Sequence, residues 1–71
     1  MPPIQQIFLR HRLQLGLTQQ EVAELSGVSV RLLRELEAGR ANPGLRQLEK
    51  IAKVLNLTLT LIPAANEKLA R

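Results

Sequence analysis

Seventy-one residues make one small domain, too short for two cores, and a chain of this size commonly needs oligomerisation to add burial. With no cysteine and His11 as the sole histidine, neither disulfides nor a zinc-ligand set is available to stabilise it, and no metal or other cofactor is expected. Ten basic against six acidic side chains leave a net charge of +4, which favours a polyanionic partner, while a single aromatic residue argues against base-stacking platforms for single strands or RNA.

The opening MPPIQQIFLRHRL lacks the apolar run and small-residue cleavage site of a signal peptide, and no stretch approaches the roughly 20 apolar residues that span a bilayer. Cytoplasmic residence without a membrane partner is the expectation. A first helix is predicted from Ile4 to Leu15, with Ile4, Phe8 and Leu15 on one face and Leu13 closing onto it; Gly16 stops it. Thr18 opens a second helix as N-cap, with Glu21 three residues on completing a capping box, and Val22, Ala23 and Leu25 are expected to face inward. Gly27 makes a turn. Ser29 caps a third helix whose inward residues are Leu33 and Leu36 and which Ala38-Gly39 ends. After the linker 40–44, a fourth helix is predicted with Asn42 as N-cap and Pro43 at its first position, and Leu45, Leu48, Ile51, Ala52 and Leu55 follow the helical period.

The pattern then changes. NLTLTLIP, residues 56–63, sets Leu57, Leu59 and Leu61 in alternation with Thr58, Thr60 and Ile62, a period of two that reads as a strand. A lone strand leaves a row of backbone donors and acceptors unpaired, so pairing with the same segment of a second copy predicts a C2 homodimer, with Leu57, Leu59, Leu61 and Ile62 in the interface. A fifth helix is the alternative. The expected architecture is therefore mostly α: residues 1–63 as a four-helix domain with one dimerisation strand at 56–62, and 64–71 as a flexible tail.

Thr18 to Leu36 carries the most information. Ala23 stands four residues before Gly27, and Leu33 six after it, as two short helices crossing at a tight turn require: a small residue at the approach, a glycine for the backbone, an aliphatic anchor. That is a helix-turn-helix, and it frees the outward face of residues 29–35 for a DNA groove. With Leu33 and Leu36 inward, Val30, Arg31, Arg34 and Glu35 point out as base readers: Arg31 for a bidentate contact to guanine, Arg34 for a base or a phosphate, Val30 for a thymine methyl. Glu35 either accepts from cytosine or pairs with Arg31. Leu32 is half exposed, against the domain or against DNA. Thr18, Gln19, Ser29, Arg40, Asn42 and Arg46 are the phosphate candidates, Gln19 from the start of the second helix, where free N–H groups favour an anion. For each of these side chains the alternative is a solvated helix face, and Arg10 and His11 are read as surface.

RLQLGLTQQEVAELSGVS, followed by LEAG at residues 36–39, resembles the phage repressor/Cro family of XRE-type helix-turn-helix proteins, over Arg12 to about Leu55. The resemblance implies an ion pair between Arg12 and Glu37 that staples the first helix to the third, making Arg12 structural, and a phosphate contact from Gln19. The terminal strand and small size further resemble HipB-type antitoxins. That implies strand pairing across a dimer, repression of the chain's own operon at a palindromic operator, and binding of a HipA-like kinase toxin. A stand-alone repressor and a protein-interaction adaptor without DNA binding are the alternatives. An enzyme is not expected: there is no Asp, Cys or Tyr and no phosphate loop.

Overall fold

One construction ends all four helices. The computed structural model describes residues 3–65, with α1 at Ile4–Gln14, α2 at Gln19–Ser26, α3 at Val30–Glu37 and α4 at Leu45–Val54. Each is followed by a residue in the left-handed region: Gly16, Gly27, Gly39 and, after α4, Asn56 with φ +61°. Glycine enters that region without steric cost and asparagine at little. The next residue's N–H then turns back onto a carbonyl of the last turn: Leu17 to Arg12, Val28 to Ala23, Arg40 to Glu35 and Leu57 to Ala52, at 2.8–3.2 Å. This is the six-to-one bond of the Schellman motif. It usually comes with an apolar residue at the donor position, and Leu17, Val28 and Leu57 all pack onto the core. Arg40 does not; it is exposed.

The starts are equally local. Glu21 N–H donates to Thr18 Oγ1 at 3.0 Å while Thr18 N–H donates to Glu21 Oε1 at 2.8 Å, closing the capping box of α2. Ser29 Oγ accepts from Leu32 N–H at 3.0 Å and starts α3. α4 starts later than its sequence suggests. Gly44, not Asn42, is its N-cap, because Gln47 Oε1 accepts from the Gly44 N–H at 3.1 Å, and Asn42-Pro43 stay in the loop.

Every helix sends residues into one core: Phe8 from α1, Val22 and Ala23 from α2, Leu33 and Leu36 from α3, Ile51 and Ala52 from α4, with Leu55 at its cap. α2 packs on α3 and α4, and α1 on α3. Several expected core positions prove otherwise. Leu25 is 67% exposed, and Ser26 takes the buried place beside it, satisfied by donating its hydroxyl to the Val22 carbonyl at 2.6 Å. On α1 the helical period carries the Phe8 face on to Arg12, so the apolar seam gives way to a charged group, and Leu13 and Leu15 are left exposed along with Ile4. Leu45, in the first turn of α4, lies beyond the edge of the core and is exposed.

The expected strand is not formed: among the described residues there is no strand, and 57–64 adopt no regular structure, helical or extended-paired. A single chain offers this segment no neighbour with which to build a ladder. Its burial nevertheless keeps the period of two, Leu57 and Leu59 half-buried on the core and Thr58 and Thr60 exposed. Beyond them Leu61 is 98% exposed, and Ile62 is exposed too. The segment borders two apolar grooves, one shared with Ile4, Ile7 and Phe8, the other with Ile4, Leu45 and Leu48. The tail expected over 64–71 lies outside the described residues from 66 onward. No helix among the described residues is long and apolar enough to cross a membrane.

Candidate nucleic-acid interface

α3 owes its orientation to Leu33 and Leu36, both buried, and to the left-handed turn at Gly27 that aims it away from α2. Leu33 anchors the helix to the core, so the residues rotated away from it are forced outward. Arg31 and Arg34 are exposed, and Val30, Leu32 and Glu35 are half-buried at the margins. Neither Arg31 nor Arg34 enters an ion pair among the described residues. Their guanidiniums, one helical turn apart, each carry a planar fork of donors able to meet a phosphate or a guanine edge.

Glu35 does have a partner, and it is Arg40, not Arg31. Arg40 Nε lies 2.8 Å from Glu35 Oε2, with the side chains 65% and 36% exposed. The hydrogen bond from Arg40, then its charge, and to a smaller extent the charges of Arg31 and Arg34, hold the Glu35 carboxyl below its ordinary value. A shallow depression bordered by Ser29, Arg31, Leu32, Glu35 and Arg40 adjoins this pair.

A second ion pair closes the other side of α3. Arg12 Nε donates to Glu37 Oε2 at 2.7 Å and Arg12 Nη2 to Glu37 Oε1 at 3.0 Å, a two-pronged contact with the side chains only 12% and 6% exposed. Arg12 Nη1 donates to the Leu17 carbonyl at 2.8 Å. Gln19 Nε2 donates to Glu37 Oε1 at 2.9 Å. The Glu37 carboxylate thus ties α1 and the start of α2 to the end of α3, and Arg12 adds the α1–α2 turn through the Leu17 carbonyl. Gln19 is accordingly not a free amide: one of its two N–H groups is engaged, leaving one for a phosphate.

The remaining candidates are dispersed. Thr18 and Ser29 use their oxygens as cap acceptors and keep their hydroxyl protons for donation. Asn42 is exposed in the loop and Arg46 on the first turn of α4. Arg10 is exposed and His11 half-buried on α1. Sequence reasoning missed two contacts. The Gln19–Glu37 bond joins residues 18 apart, which no local pattern announces. The Glu35–Arg40 pair was accessible in principle, since a glycine just past a helix end folds the following residue back over the last turn.

Comparison with known proteins agrees with this geometry. The family described as Helix-turn-helix matches residues 9–62. The chain is 38% identical over 52 residues to an "uncharacterized HTH-type transcriptional regulator" of Haemophilus influenzae, covering 73% of this chain and 53% of that protein. It is 47% identical over 45 residues to a protein of the same name from Methanothermobacter thermautotrophicus, covering 63% and 65%. With the regulator y4dJ of Sinorhizobium fredii it shares 43% over 51 residues, covering 72% and 66%. The matched segment thus spans about half to two thirds of these relatives.

Proposed function

The chain belongs to the Helix-turn-helix family, and on that premise we propose that it is a sequence-specific DNA-binding transcriptional regulator, acting in the cytoplasm as a repressor. The observation that carries the proposal is the outer face of α3: two arginines without an ion-pair partner among the described residues, one turn apart, on a helix whose opposite face is locked into the core. α3 enters a major groove, Arg31 forks onto guanine, Arg34 takes a base or a phosphate, and Val30 packs on a thymine methyl. The free N–H of Gln19, the hydroxyls of Thr18 and Ser29, and Asn42 and Arg46 at the flanks hold phosphates, as does Arg40 once released from Glu35. Occupation of an operator by such a domain excludes polymerase from the same DNA.

A homodimer completes the reading. The exposed Leu61 and Ile62, continuing the alternation of Leu57 and Leu59, favour addition of this segment to its copy as a two-stranded ribbon. Two recognition helices would then meet a palindromic operator in grooves roughly 34 Å apart. The narrower reading, an autoregulating antitoxin that also binds a HipA-like kinase, draws its support from the alternation of 56–62 and the small size of the chain. Co-purification with such a kinase encoded beside it separates that reading from a stand-alone repressor.

The test is a fluorescence-anisotropy titration of the protein against DNA from its own upstream region and against scrambled DNA, over a range of salt. Binding at least about 10³-fold tighter to the former, lost in Arg31→Ala and Arg34→Ala, is expected. Equal, weak binding to both DNAs, unchanged by those substitutions, would turn the reading toward a protein-interaction adaptor.

A further inference from the structure

Three of the four helix ends, those of α1, α2 and α4, place an apolar residue, Leu17, Val28 or Leu57, against the core just after the left-handed residue. The end of α3 replaces that apolar contact with charge. Arg40 occupies the equivalent position, its N–H donates to the Glu35 carbonyl at 2.9 Å, and its side chain folds back onto the Glu35 carboxylate at 2.8 Å. Backbone and side chain therefore join the same two residues. The turn at Gly39, with φ +77°, delivers Arg40 to this place irrespective of the ion pair. The pair is thus built into the helix terminus rather than being a chance meeting of long side chains.

Its location gives it consequence. Glu35 is the one acidic residue on the outward face of α3, set among Arg31, Arg34 and Arg40. The carboxylate oxygen on Arg40 Nε takes the place that an anionic phosphate oxygen would take. Arg40 can offer a DNA backbone its Nε–H and its uncompensated charge only by leaving Glu35. Resting on the DNA-binding reading above, we infer that Glu35 competes with DNA phosphates for Arg40 and so weakens the sequence-independent, backbone part of DNA binding.

The Glu35 carboxylate weakens every DNA complex that uses Arg40, and because cognate and random DNA share that penalty, removing it tightens both by a similar factor. Random DNA, whose complex rests on phosphate contacts, reads that gain without a contribution from base contacts. Arg40 is exposed and Glu35 half-buried at the margin, neither belonging to the core, so substitution leaves the core intact.

The experiment uses the full chain as wild type, Glu35→Gln, Arg40→Gln and the double variant. Each is titrated by fluorescence anisotropy against a random-sequence duplex and a duplex from its upstream region, at several salt concentrations. Thermal melting by circular dichroism checks that each variant folds. Glu35→Gln should tighten random-duplex binding about two- to fivefold, the range of an exposed ion pair. It should also steepen the salt slope by up to about 0.9, one phosphate contact. In the Arg40→Gln background the same substitution should do markedly less. An equal gain in both backgrounds would reduce Glu35 to a generic negative charge and overturn the inference, as would weaker or unchanged random-duplex binding. Were the wild type to show no salt-dependent binding to either duplex, the DNA-binding reading would fall and the inference with it. If the wild type binds and only the double-variant comparison fails, the DNA-binding reading stands and the inference alone is lost.

Discussion

Glu37→Gln is the substitution whose effect the structure determines most sharply. The change removes one charge and alters the side-chain volume little, but it turns one of the two head atoms facing Arg12 from an acceptor into a donor. The Arg12 guanidinium, 12% exposed, then keeps only the Leu17 carbonyl and one amide oxygen for three engaged nitrogens, and Gln19 competes for that same oxygen. Breaking a buried pair by removing one partner costs about 3–5 kcal/mol, because the other charge is left uncompensated. A chain of 71 residues has roughly 4–10 kcal/mol of stability in total. The expected loss, about 3 kcal/mol, is therefore a large part of it and lowers the urea midpoint by about 3 M at a slope near 1 kcal/mol/M.

The Glu35–Arg40 pair is the internal control, of nearly equal length but largely exposed, and Arg40→Gln should cost about 0–1 kcal/mol. Replacing both buried partners, in Arg12→Met/Glu37→Leu, should destabilise less than Glu37→Gln alone, since no charge is left stranded. Urea denaturation followed by circular dichroism at 222 nm reads all three variants. A Glu37→Gln protein within 1 kcal/mol of wild type, or a double variant at least as unstable as Glu37→Gln, would refute the burial argument.

Other outcomes follow from single residues. Phe8→Ala, which empties the largest buried side chain of α1, should cost about 3–5 kcal/mol and leave little folded protein at 37 °C by calorimetry. Gly27→Ala should cost about 1 kcal/mol in urea titration, from backbone strain alone, because a Cβ there would meet no atom within 4 Å; Gly27→Asn should cost less and Gly27→Val more. The capping box makes stability pH-dependent. The hydrogen bond from the Thr18 backbone, then that with its hydroxyl, lowers the Glu21 pKa. Its contribution is therefore full above the unfolded value of about 4.3 and disappears as pH falls through the lower folded value. The stability difference between wild type and Glu21→Gln should accordingly be constant near neutrality and shrink below about pH 4, and a difference that grew with acidity would contradict the assignment.

Much of this domain is legible along the chain because its signals are local. A cap residue and its partner three positions on, a glycine one residue past a helix, and the 3.6-residue period each act within one or two turns. Thr18 with Glu21, Ser29, Gly16, Gly27 and Gly39 locate three helices, and Ala23, Gly27 and Leu33 specify how α2 and α3 join, from which the outward face of α3 follows. What tertiary packing decided are the positions where two locally equal choices compete. Leu25 and Ser26 differ by one step around α2, and the smaller, self-satisfied serine takes the tight site. The start of α4 is a choice between two local caps, and Gln47 on Gly44 takes it from Asn42. The second bond on Glu37, from Gln19, joins residues that only the closed fold brings together. The alternation of 56–62 also remains a pattern without a ladder in one chain, since a strand's hydrogen bonds belong to its neighbour and not to its own sequence.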